Sequence, residues 1–85
     1  MKIHQQTVMR YVFFCPGCNC AHGFNTGLAG WAWNRDFDKP SITPSILAIG
    51  EKRCHSFITE GKIKFLNDCN HELKGQTVDL PEWSL

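Results

Sequence analysis

Hydrophobic and polar positions alternate most clearly in the second half of the chain. Ile63 and Phe65 alternate with Lys62 and Lys64, the pattern of a strand buried on one face. Phe57 and Ile58 close the preceding arm, and Glu60-Gly61 between the arms has the composition of a hairpin turn. The pattern predicts a β-hairpin within Arg53–His71. Its open end gathers Cys54, His55, Asp68, Cys69 and His71.

Two turn geometries are open to this hairpin, and they sort these side chains differently. A two-residue turn at Glu60-Gly61 pairs Ile58 with Ile63 and Cys54 with Asn67. It puts Cys54 and Cys69 on the buried face and His55 with Asp68 on the other. A three-residue turn with Gly61 left-handed shifts the register by one and groups His55 with Phe65 and Cys69. The first separates sulfur ligands from an acid–base pair and is the reading adopted.

Elsewhere, Thr7–Phe14 is rich in β-branched and aromatic residues and predicts a strand ending at the tight turn Cys15-Pro16-Gly17-Cys18. Asn19–Gly23 reads as loop, and Phe24–Leu28 as the start of a second strand. Trp31-Ala32-Trp33 alternates as a half-buried strand does. Asn34–Pro40 is a polar connection. In Ser41–Gly50, Pro44 demotes the first half to an edge or extended loop, and Ile46–Ile49 predicts a buried strand. Leu73–Pro81 offers a turn at Gly75 and a short strand. No amphipathic stretch of about ten residues supports a helix. The expected fold is a mainly β, single domain spanning residues 1–85, with strand order left open.

Composition adds a constraint. A chain of 85 residues, 42% hydrophobic and 12% aromatic, is globular but small for a self-sufficient core, so a staple is expected. A net charge of +1 with no basic run argues against a phosphate-dominated grip on nucleic acid and against a polybasic membrane anchor. No apolar stretch reaches the roughly 20 residues of a membrane-spanning helix, and Met1–Gln6 lacks the apolar middle of a secretory signal. The expected compartment is the cytosol, where five cysteines read as metal ligands rather than disulfides.

Cys15-x2-Cys18 has the spacing of a zinc knuckle. Cys54 and Cys69 complete a four-ligand structural zinc site in the adopted register, with His71 as the alternate to Cys69 and His22 as a further candidate. Cys20 is badly spaced and reads as a spare thiol. Against this stands the reading of these cysteines as small buried hydrophobes. A redox dithiol would need a following helix that the sequence does not supply.

The second constellation is Ser45, His55 and Asp68. A serine becomes a nucleophile when an imidazole takes its proton, and a carboxylate on the far ring nitrogen holds the useful tautomer. His55 and Asp68 fall on one hairpin face, and Ser45 follows Pro44 at a strand entrance. Ser56 points to the opposite face from His55. Trp31 and Trp33 read first as core, and second as walls of a peptide groove.

Several segments together resemble a known family: Cys15-Pro16-Gly17-Cys18, Trp33-Asn34, Pro40–Ser45, Cys54–Ile58, Phe65–Leu73 and Gly75–Val78. The family is one of small phage and bacterial proteins often labelled ammonia monooxygenase. It includes the serine-peptidase-like BubE proteins of bacterial ubiquitination-like operons. The resemblance implies a hydrolase that releases a ubiquitin-like protein or related conjugate, with Ser45, His55 and Asp68 at recurring positions and His71 also matched. Phage members imply an alternative, a non-catalytic zinc-binding accessory protein that binds a host defence protein. Oxygen chemistry is not expected, because the chain shows no two-histidine, one-carboxylate set of clear spacing.

Overall fold

The computed structural model describes residues 1–28, 30–50 and 52–84. Among them it shows eight strands and no helix. Strands β1 (Ile3–Gln5), β2 (Arg10–Cys15) and β3 (Cys20–Asn25) form one antiparallel sheet in that order. Strands β4 (Ala32–Trp33), β5 (Ile42–Ile49), β6 (Arg53–Thr59), β7 (Lys62–Phe65) and β8 (Thr77–Asp79) form a second, again in sequence order. Within each sheet, strands consecutive in sequence are antiparallel neighbours, while the connection from β3 to β4 passes from one sheet to the other.

The two sheets share one core. The first contributes Ile3, Tyr11, Phe13, Cys15 and Phe24, and the second Ile42, Ile46, Cys54, Ile58, Ile63 and Phe65. Strand alternation sets this: on β6, Cys54, Ser56 and Ile58 are buried, while Arg53, Phe57 and Thr59 are exposed. Trp33 packs against the core at its edge, with its ring 4.6 Å from Tyr11, 5.9 Å from Phe24 and 5.0 Å from Phe37.

The central hairpin has the adopted register. Ile58 pairs with Ile63 and Thr59 with Lys62, and Glu60 and Gly61 both take positive φ (49° and 79°), as a two-residue primed turn requires. The ladder, however, stops at Ser56–Phe65, so the expected pairing of Cys54 with Asn67 does not form. Residues from Leu66 onward leave the strand and reach β6 as a loop.

Four other expectations change. Asn19–Gly23 is largely strand, because the turn after Cys15 closes at once, with Asn19 at positive φ and Cys15 opposite Cys20. The segment of Ile3 to Gln5, in which no strand was foreseen, pairs with β2 and buries Ile3. Pro44 lies inside β5, between two partner strands. It is accommodated because the β5–β6 register shifts between Ile42 and Ile46, where a bulge removes the need for its amide. Ile46 is buried but Leu47 and Ile49 are exposed, so this stretch is one-faced rather than fully buried.

Gly61 bears on stability. A Cβ there would lie 3.2 Å from both Asp38 O and Lys39 Cα, in a backbone conformation that already disfavours one. Gly61→Ala should cost about 1–2 kcal/mol in denaturant unfolding; an unchanged midpoint would mean the turn does not hold this geometry.

Candidate functional site

Four potential metal ligands converge on the inner side of the fold. Cys15 ends β2, Cys18 closes the turn after it, Cys54 points inward from β6, and His71 comes from the loop after β7. Their ligand atoms all lie within 4.8 Å of one another, and the cluster could hold a metal ion. Both sheets therefore contribute to it. Three thiols and an imidazole form the donor set of a closed tetrahedral site. His71 is buried, and its Nε2 has no hydrogen-bond partner among the described residues, an orphan of the kind a bound ion would satisfy.

Gly17 makes room for the imidazole. A Cβ at this position would come within 2.3 Å of His71 Cε1, so any larger residue in the turn would push the ring away. The knuckle glycine thus serves close approach.

The sulfurs compete for protons. The Cys54 thiol lies 3.7 Å from Cys15 Sγ, and the hydrogen bond it donates is the main reason the Cys15 thiol drops to about 4. Burial opposes this, while His22 and the Cys18 amide, 3.4 Å from Cys15 Sγ, assist it. Burial and the negative Cys15 raise Cys18 to about 11. Cys54, donating to Cys15 and buried, is raised further. One thiolate is therefore supported by two thiols that keep their protons until a cation arrives.

On the opposite face of the second sheet, Ser45 Oγ lies 2.9 Å from His55 Nε2, and His55 Nδ1 lies 3.1 Å from Asp68 Oδ2. His55 is a neighbour of Cys54 in sequence but projects outward, as strand alternation dictates. Desolvation works to raise the Asp68 carboxyl. The His55 hydrogen bond and charge, with Arg53 in support, outweigh it and hold the carboxyl below its usual value. The Arg53 guanidinium is 3.3 Å from the same oxygen. Trp31 sits beside the serine and donates its indole N–H to Ser45 O at 3.2 Å.

The remaining candidates are not members of the metal cluster. Cys69 is buried, but its thiol rests on the backbone of His55, at 3.1 Å from both N and O, and His71 stands as the fourth member of the cluster. His22 faces Phe13, its buried Nε2 has no hydrogen-bond partner among the described residues, and it is outside the cluster. Cys20 is exposed, and all five cysteines are free. Arg53, the contact of Trp31 with Ser45 and the thiol contact of Cys69 had no signal in the sequence, because each depends on segments brought together only by folding.

The family model for the bacterial ubiquitination-like system serine protease (BubE) matches residues 1–66. The chain belongs to this family. The BubE match takes in Ser45, His55, Cys15, Cys18 and Cys54. It ends two residues before Asp68, so Asp68 and His71 stand on geometry alone. No curated protein and no solved structure matches the chain. Among the described residues, no helix is long and apolar enough to cross a membrane.

Proton competition makes metal binding dependent on pH. With Cys15 ionised at neutral pH and Cys18 and Cys54 protonated, an incoming ion must displace two thiol protons. Affinity should fall as pH falls, by about a hundredfold per unit near neutrality. Titration against a chromophoric chelator at several pH values measures the slope, and a flat profile would remove the thiols from the ligand set.

Proposed function

We propose that this protein is a serine-type hydrolase with a structural zinc staple, acting on a peptide or ester bond at the end of a ubiquitin-like protein or related conjugate. The observation that carries this reading is the continuous chain of contacts from Ser45 Oγ through His55 to Asp68. Membership of the BubE family supports the reaction class and the kind of substrate.

In this reading Ser45 is the nucleophile. His55 Nε2 takes the hydroxyl proton as Oγ attacks the substrate carbonyl, and the resulting imidazolium gives that proton to the leaving group. Asp68 stays ionised, holds Nδ1–H and stabilises the imidazolium as it forms. Water, activated by the same imidazole, then releases the acyl group from Ser45. Zinc on Cys15, Cys18, Cys54 and His71 takes no part in these steps. It supplies folding free energy by joining the sheets, and the closed donor set suits that task.

A binding module that performs no chemistry is the second reading. Leu47, Ile49 and Phe57 favour it, since they are 45%, 73% and 40% exposed on the face that carries His55 and suit a protein partner. Such a module would act as an accessory protein, for example against a host defence protein.

A fluorophosphonate probe separates the two. Labelling of the folded protein at Ser45, abolished in His55→Ala with metal content and melting temperature nearly unchanged, is expected of the hydrolase. A folded protein that never labels would favour the binding module. The staple has its own measurement: elemental analysis of the purified protein should return about one zinc per chain, and a well-folded, metal-free protein would sink it.

A further inference from the structure

The β6–β7 ladder ends abruptly, and what replaces it bears on His55. Beyond the Ser56–Phe65 pair the next two residues to exchange hydrogen bonds would be His55 and Leu66. Half of that exchange is made, Leu66 N–H donating to His55 O at 2.9 Å. The other half is lost, because Leu66 O turns away and accepts the Cys69 amide at 3.2 Å. The His55 amide is then left without a ladder acceptor, and a backbone donor in this position needs one.

The Cys69 thiol fills the vacancy. Its sulfur accepts the His55 N–H and its S–H donates to His55 O, each at 3.1 Å. The next residue repeats the pattern two positions along β6: Asn70 N–H donates to Arg53 O at 3.1 Å, and Asn70 Oδ1 accepts Arg53 N–H at 2.5 Å. Residues 69 and 70 thus act as a substitute strand. Asp68, immediately before them, is tied to the backbone of the histidine whose ring it holds.

We propose that Cys69 is a positioning residue: its thiol clasps the His55 backbone and sets Asp68 at bonding distance from His55 Nδ1. This rests on the reading of Ser45, His55 and Asp68 as the reacting groups. Neither bond is strong, since a thiol is a weak donor and a weak acceptor. The contribution is to geometry, where a misplacement of about 1 Å can cost a factor of about a hundred.

Cys69→Val and Cys69→Ser test it in the full, metal-loaded chain, because valine fills the space without hydrogen bonds and serine keeps both. Three quantities are read: metal content, the rate of fluorophosphonate labelling at Ser45, and hydrogen exchange of the His55 amide. Cys69→Val should keep its metal, label about tenfold or more slowly and exchange the His55 amide faster. Cys69→Ser should return both rates to within a few-fold of the parent. Loss of metal from either variant would make Cys69 a ligand and overturn the proposal, as would a Cys69→Val that matches the parent in both rates. Should Cys69→Val not fold, Cys69→Ser decides by keeping metal and rates or losing them. A parent that never labels defeats the hydrolase reading instead, and the His55 amide then tests the clasp by itself.

Discussion

Three sulfurs and an imidazole crowded into one buried space cannot all lose their protons unless a cation joins them. Cys15 is favoured as the thiolate at the expense of Cys18 and Cys54, and His71 keeps a buried ring nitrogen with no partner among the described residues. The members come from the end of β2, the turn after it, β6 and the loop beyond β7, so this one cluster spans both sheets. The sheets share only a small core. The cluster therefore links the two sheets beside the core they share.

The period of two along β6 converts that anchor into a platform. Cys54 faces the cluster and His55, the next residue, faces outward to Ser45 and Asp68. The loop carrying Asp68 and His71 spans the same division, with one side chain on each side of the sheet. The cluster that could hold a metal ion beneath and the Ser45–His55–Asp68 contacts above are thus two faces of one piece of backbone, and their separation needs no second domain.

The hairpin was legible because Glu60-Gly61 is strong turn chemistry flanked by alternation; of the two registers this leaves open, the one that separates the sulfurs from His55 and Asp68 is the one that forms. That register placed His55 outward and Cys54 inward from residue types alone. The loop after Phe65 was not legible. Nothing in Leu66–His71 announces that the chain leaves the ladder, and continuing the alternation makes Cys69 look like a ligand. The strand beginning at Cys20 was hidden because Cys-Ala-His-Gly lacks β-branched residues; its pairing comes from the preceding turn. Pro44 argued against an inner strand on local grounds, and the bulge that accommodates it is set by β6.

The substitute strand formed by residues 69 and 70 also has a meaning for how this fold can vary. Most hairpin loops tolerate extra residues, because a longer excursion into solvent disturbs nothing at its base. Here Asp68, Cys69, Asn70 and His71 are spoken for one after another, by His55, the His55 backbone, Arg53 and the thiol cluster. An insertion anywhere in that run would put the carboxylate and the imidazole out of phase with each other. Length variation in this fold is thereby displaced to the turns whose residues have no such appointments.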